Sequence, residues 1–167
     1  MPVIEPMLQE FRNEAAVTRR VLERVPAEKL SWKPHPKSMT LGQLAQHIAA
    51  VPGGIAKIVQ LDSFEVSPDT FVFPEPKTTR EIHEAFEQSV RDAEACLGGM
   101  TDQAAQSQWR LTHGDKVILD LPRAAVVRMI MLSHWYHHRG QLSVYLRMLD
   151  VPVPSIYGPS ADESPLA

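Results

Sequence analysis

Apolar residues recur along this chain at steps of three and four, the spacing that lines one face of an α-helix. Ile4, Leu8, Phe11, Ala15, Thr18, Leu22 and Val25 form the first such stripe. It predicts a helix over about residues 4–24, stopped by Pro26, which has no N–H to continue the ladder. Residues 31–37 hold Pro34 and Pro36 and read as a loop. A second stripe, Leu41, Leu44, Ile48, Val51, Ile55 and Ile58, predicts a helix over about residues 40–62. Thr40 and Gln43 have the spacing of a capping box at its start. Pro52, followed by Gly53 and Gly54, is expected to kink or interrupt it. Residues 63–77, rich in proline and carrying aromatics, read as a partly buried loop. Ile82, Phe86, Ser89, Ala93, Cys96, Leu97 and Met100 mark a third helix over about residues 79–98. Thr78 or Thr79 opens it with Glu81 as capping partner, and Gly98 and Gly99 end it.

Residues 101–121 are less regular. A helical turn fits 101–106, and short strands at 109–112 and 116–119 around His113-Gly114-Asp115 suggest a hairpin. Pro122 suits the first turn of a fourth helix over about residues 122–149. Val127, Ile130, Met131, His134, His138, Gln141, Leu142, Tyr145 and Leu149 lie on one face of it. The proline-rich tail, 151–167, is not helical. The expected fold is all-α, a four-helix bundle with two longer connections and at most one short hairpin before the last helix, in a single domain over 1–167.

Composition narrows the function classes. A chain of 167 residues buries about 70% of its unfolded surface, so it needs neither disulfide nor metal merely to fold. The net charge is −3 and no basic cluster appears, which argues against nucleic-acid binding. No apolar run reaches membrane-spanning length, and the N-terminus lacks a signal-peptide pattern. With a single cysteine, Cys96, no internal disulfide forms, and a cytoplasmic location is expected. Cys96 reads as a small core residue, not a nucleophile.

Chemistry concentrates in the histidines. His134 and His138 are one helical turn apart and sit in an apolar stripe, so both rings project from the same face. His47, between Leu44 and Val51, leans towards the core side of the second helix. A buried imidazole needs partners for both ring nitrogens, and each unmet polar group costs about 1–3 kcal/mol. A shared cation satisfies one nitrogen on each ring; separate hydrogen bonds within the core are the competing reading. His137 falls on the other flank of the stripe and reads as packing or as a support behind the metal ligands, while His35, His83 and His113 read as exposed. Arg139 points away from His134 and reads as a surface or subunit contact. Trp135, Tyr136 and Tyr145 are candidates for a pocket wall, with core or interface packing the preferred reading. Val126, Met129, Val144 and Met148 would leave apolar surface outside the core stripe, which suggests self-association.

The segments SMTLGQLAQHIA, HWYHHRGQLSVYLR and VPVPSIYGPSADE, in this order, resemble the DinB-like (DinB/YfiT) superfamily over nearly the whole chain. The resemblance implies a DinB-like four-helix bundle, a homodimer, and one divalent metal ion on His47, His134 and His138. Nickel or zinc is the first expectation, with iron, cobalt or manganese as alternatives. It also implies that Tyr157 folds back over the site. Members with assigned activities include transferases and isomerases that use low-molecular-weight thiols, though a shared fold does not transfer an activity. The expected function is therefore a metal-dependent thiol transferase or hydrolase acting on a small molecule. The alternative is a non-catalytic metal-binding or stress-response module in which the ion staples two helices.

Overall fold

Helix α1, Ile4–Leu22, buries the predicted stripe from Ile4 to Leu22. A computed structural model of the chain describes residues 2–67, 70 and 74–164. A short 3-10 turn, Ala27–Lys29, leads to α2, Leu41–Val59. Thr40 caps α2 as its sequence requires: its hydroxyl accepts from the Gln43 N–H at 3.1 Å, and the Gln43 side chain accepts from the Thr40 N–H at 2.9 Å. Helix α3, Thr79–Gly99, opens at Thr78, whose hydroxyl accepts from the Glu81 N–H. Helix α4, Asp102–Gln106, is the predicted helical turn.

The last long helical run has three parts in unbroken succession. They are α5, Arg123–Val126; a π-helical segment, Val127–Ser133; and α6, His134–Met148. Helix α2 packs against α3 and α6, and α1 packs against α3 and α6. Their shared core includes Phe11, Leu44, Ile48, Phe86, Leu97, Trp135 and Leu142. Trp135 stacks on Phe11 at 5.5 Å between ring centres.

The all-α expectation needs correction, because a small sheet is present. Its strands are β1, Ser63–Glu65; β2, Gln108–His113; and β3, Lys116–Pro122, in the order β1-β2-β3. Strands β2 and β3 are the predicted hairpin, turned by Gly114 at φ +55. Strand β1 was expected as loop; it pairs in parallel with β2, placing Phe64 beside Leu111. Much of the proline-rich segment after it, at positions 68, 69 and 71–73, lies outside the described residues, as do the last three positions of the tail. The tail from 151 on is non-helical where it is described.

Pro52 does not interrupt α2, and side chains from neighbouring elements show why. Pro52 has no N–H for the Ile48 carbonyl four residues earlier. The Trp135 indole donates to that carbonyl instead, at 2.9 Å. The next N–H, Gly53, donates to the Ser89 hydroxyl at 2.7 Å. A Cβ at Gly53 would stand 2.8 Å from the Ser89 Cα, so only glycine lets α2 and α3 approach this closely. At the end of α2 the Ile58 carbonyl accepts from the Trp109 indole and the Val59 carbonyl from the Arg123 guanidinium. These bonds satisfy the carbonyls that a helix end leaves open.

Val126 is fully buried, contrary to its reading as a surface residue, whereas Met129, Val144 and Met148 are exposed. No helix of the described residues is long and apolar enough to cross a membrane.

Candidate metal centre

Helix α2 carries His47 inward because its two neighbours in the stripe, Leu44 and Val51, are buried at the same face. The ring is buried, with the residue 7% exposed. His134 and His138 project from the first turns of α6 towards it, and both are half-buried. The three rings meet with centres 4.4 to 5.2 Å apart. One donor atom from each lies within 4.8 Å of the others, the one group of this kind among the described residues. The Nε2 atoms of His47 and His134 are 2.9 Å apart. Two nitrogens held about 2.0–2.1 Å from one ion lie about 2.9–3.4 Å apart for right-angle to tetrahedral bonding. This pair therefore already has the spacing of two ligands on one ion, and the His138 ring stands beside both.

Charge and tautomer are set for ligation. Burial, followed by the charges of His138 and His134, pushes the His47 pKa down to about 4. Burial also lowers His134 and His138. Neutral imidazole, the form that binds a metal, is thus favoured at all three. His138 Nδ1 lies 2.7 Å from the Gln141 side-chain oxygen. Nδ1 must donate there, since the amide oxygen only accepts, which leaves the His138 Nε2 lone pair free. The spacing alone puts Gln141 on the inner face; a side-chain acceptor three residues after a histidine on a helix is the signal for its orienting role.

The π-helical segment ends at the residue before His134. A π segment holds more residues per turn than an α-helix and so changes which face the following helix presents. The buried positions after it are Trp135, Arg139, Leu142 and Leu146. His134 and His138 therefore sit at the edge of the core stripe, not at its centre as the sequence spacing suggested. His134, on that edge, and His47 opposite it line a cavity of about 420 Å³. Its described lining consists of His47, Ala50, Val51, Gly54, Ile55, Ile58, Phe64, Thr70, Leu111, Ile130 and His134. The wall is mainly apolar and holds no described Asp, Glu, Lys or Arg.

The other candidates fall outside the cluster. His137 is exposed, and its ring meets the His138 ring at 5.0 Å between centres. His35 and His113 are exposed and His83 is half-buried. Trp135 is a core residue, and the Tyr136 hydroxyl bonds to Glu10 at 2.9 Å. Tyr145 stacks edge-on with Trp32. Cys96 is buried, which raises its thiol pKa and fits packing.

Arg139 is not a surface residue: it is 1% exposed. It points away from the histidines, as expected, but into the contact with α1. Its guanidinium pairs with the Glu14 carboxylate at 2.5 Å and donates to the Thr18 hydroxyl at 3.0 Å and the Tyr157 hydroxyl at 2.5 Å. Tyr157 accordingly folds back onto α1 and α6 at this arginine, where it meets Glu14, Arg139 and the Tyr136 ring rather than the histidines.

The DinB family model matches residues 1–165, and the chain belongs to the DinB family. It is 26% identical over 164 residues to the uncharacterized protein YrdA of Bacillus subtilis (strain 168), covering 96% of this chain and 91% of that one. The crystal structure of a DinB-like protein from Bacillus cereus ATCC 10987 superposes with a TM-score of 0.72 at 24% identity. That match covers 92% of this chain and 97% of the other. The mycothiol-dependent maleylpyruvate isomerase shares the fold at a TM-score of 0.57 and 14% identity, over 90% of this chain and 62% of its own.

Proposed function

We propose that His47, His134 and His138 hold one divalent metal ion, nickel or zinc first, and that the protein is a metal-dependent enzyme acting on a small molecule. The observation that carries this reading is the convergence of three imidazoles, with His47 and His134 at the wall of a cavity large enough for a substrate. A staple between helices would close its ligand shell. Here three donors converge among the described residues, two of them at the cavity wall.

An ion so held supplies a Lewis acid that lowers the pKa of a bound water or thiol. The chain's own residues do the rest. Gln141 fixes the His138 tautomer, burial keeps the rings neutral, and the apolar wall lowers the polarity beside them. No carboxylate joins the cluster among the described residues, so no general base for water stands beside it. That favours a thiol, which is its own nucleophile once deprotonated, and the thiol-dependent isomerase of like fold supports the same choice. We favour a thiol transferase over a hydrolase on this ground, with a cytoplasmic location and a low-molecular-weight thiol as co-substrate.

Elemental analysis of untagged protein, purified without metal chromatography, tests the site. About one equivalent of divalent metal is expected in the wild type and less than a tenth of that in His134→Ala. Wild-type protein that retains no metal after incubation with nickel or zinc and desalting would defeat the proposal.

Exposed Met129, Val144 and Met148 support a further part of the reading, that two copies associate. Sedimentation equilibrium should give twice the chain mass at micromolar concentration; a monomer there would count against it.

A further inference from the structure

The cavity beside the histidines has a direction. His47, Ala50, Val51, Gly54, Ile55 and Ile58 recur at steps of three and four, so one stripe of α2 forms a long wall. Eleven residues separate His47 from Ile58, about 16 Å along the helix axis. The two described histidines of the lining lie together at one end, where their Nε2 atoms are 2.9 Å apart. Towards the other end stand Ile55 and Ile58, with Phe64 and Leu111 supplied by paired positions of β1 and β2. No described charged side chain interrupts the wall.

We infer that the substrate is an elongated, uncharged amphiphile: its polar reacting group lies at the histidines and its apolar body runs along α2 towards Ile58. The identity of the reacting end rests on the metal reading above; the apolar channel does not. Charge on the body of the substrate is disfavoured, because burying it against the apolar wall between Val51 and Ile58 would go uncompensated. Gly54 is the gate to chain length. It sits two turns beyond His47, is exposed, and a Cβ built there meets nothing within 4 Å. A larger side chain at 54 therefore enters free space instead of the core, and shortens the channel.

Displacement of the neutral fluorophore N-phenyl-1-naphthylamine by n-alkanols from butanol to decanol reads the channel directly. In wild-type protein each added methylene should tighten binding about fourfold. Gly54→Ala should keep that rise, and Gly54→Leu should flatten it for the longer alcohols. Gly54→Met replaces the leucine variant if thermal melting shows that Leu impairs folding. His134→Ala, which removes a ligand and not the apolar wall, should retain the rise. A wild type that does not bind the fluorophore, affinities independent of chain length, or an unchanged rise in the folded bulky variant would overturn the inference. Failure of the wild type to take up metal, with the rise intact, would sink the metal reading and leave the channel standing.

Discussion

Replacing Arg139 with methionine should destabilise the protein by about 3–5 kcal/mol, measured by urea unfolding, the range for breaking a buried ion pair from one side. The cost comes from what remains. Glu14, whose side chain is 14% exposed, would keep its carboxylate in the α1–α6 contact without the guanidinium. The Thr18 hydroxyl and the Glu14 carbonyl would each lose a donor. Lysine should not rescue: the guanidinium reaches the Glu14 carboxylate and carbonyl, Thr18 and Tyr157 from one planar fork and stacks near the Tyr136 and Tyr157 rings. Adding Glu14→Leu to Arg139→Met removes the stranded charge and should return a large part of the loss. A single variant that costs under 1 kcal/mol would refute this account of the pair.

The same substitution should loosen the tail. Tyr157 is held through Arg139 and Glu14, while Asp162 pairs with Arg147 and Glu163 pairs with Arg20. Asp162 also accepts from the Val153 N–H at 2.9 Å, and Glu163 from the Ser155 N–H at 3.0 Å. The charged anchors on the surface are screened by water and salt, so the buried arginine is the strongest of the set.

Local signals in the sequence were the readable ones. The Thr40 capping box, the stripe of α1 and the turn at Gly114 depend on residues within a few positions of each other, and the structure has all three. Strand β1 was not readable, because three residues carry no alternation and its partner, Arg110 to Thr112, is distant in the chain. The cavity wall at Phe64 was lost with it. Pro52 misled because its cost is offset by Trp135, a residue from another helix. Arg139 misled for a related reason: a charged residue reads as surface until Glu14, Thr18 and Tyr157 are known to surround it. The histidine trio was legible through an i,i+4 pair and a family resemblance together. The π segment that shifts His134 and His138 to the edge of the core stripe left no sign in the hydrophobic pattern.

Metal loading should stabilise the folded protein by about 4 kcal/mol when the free ion is a thousandfold above its Kd, and this gain should vanish on acidification. In the unfolded chain a histidine titrates near 6.5, whereas His47 in the fold titrates at about 4. Between those values the unfolded chain binds more protons than the native one, so stability rises with pH across this window. Metal-free protein should therefore lose stability as pH falls from 6.5 to 4, then level off once both states are protonated. His134 and His138 are shifted in the same direction and add to the slope. A bound ion removes the protonation sites altogether, so loaded protein should fall more steeply as protons displace it. Urea unfolding of stripped and nickel-loaded protein from pH 4 to 8 measures both curves. His134→Ala should lose the nickel-dependent difference and part of the metal-free slope. A nickel effect that survives in that variant, or wild-type stability that rises on acidification through the window, would show that the cluster neither holds the ion nor stays neutral for the reason given.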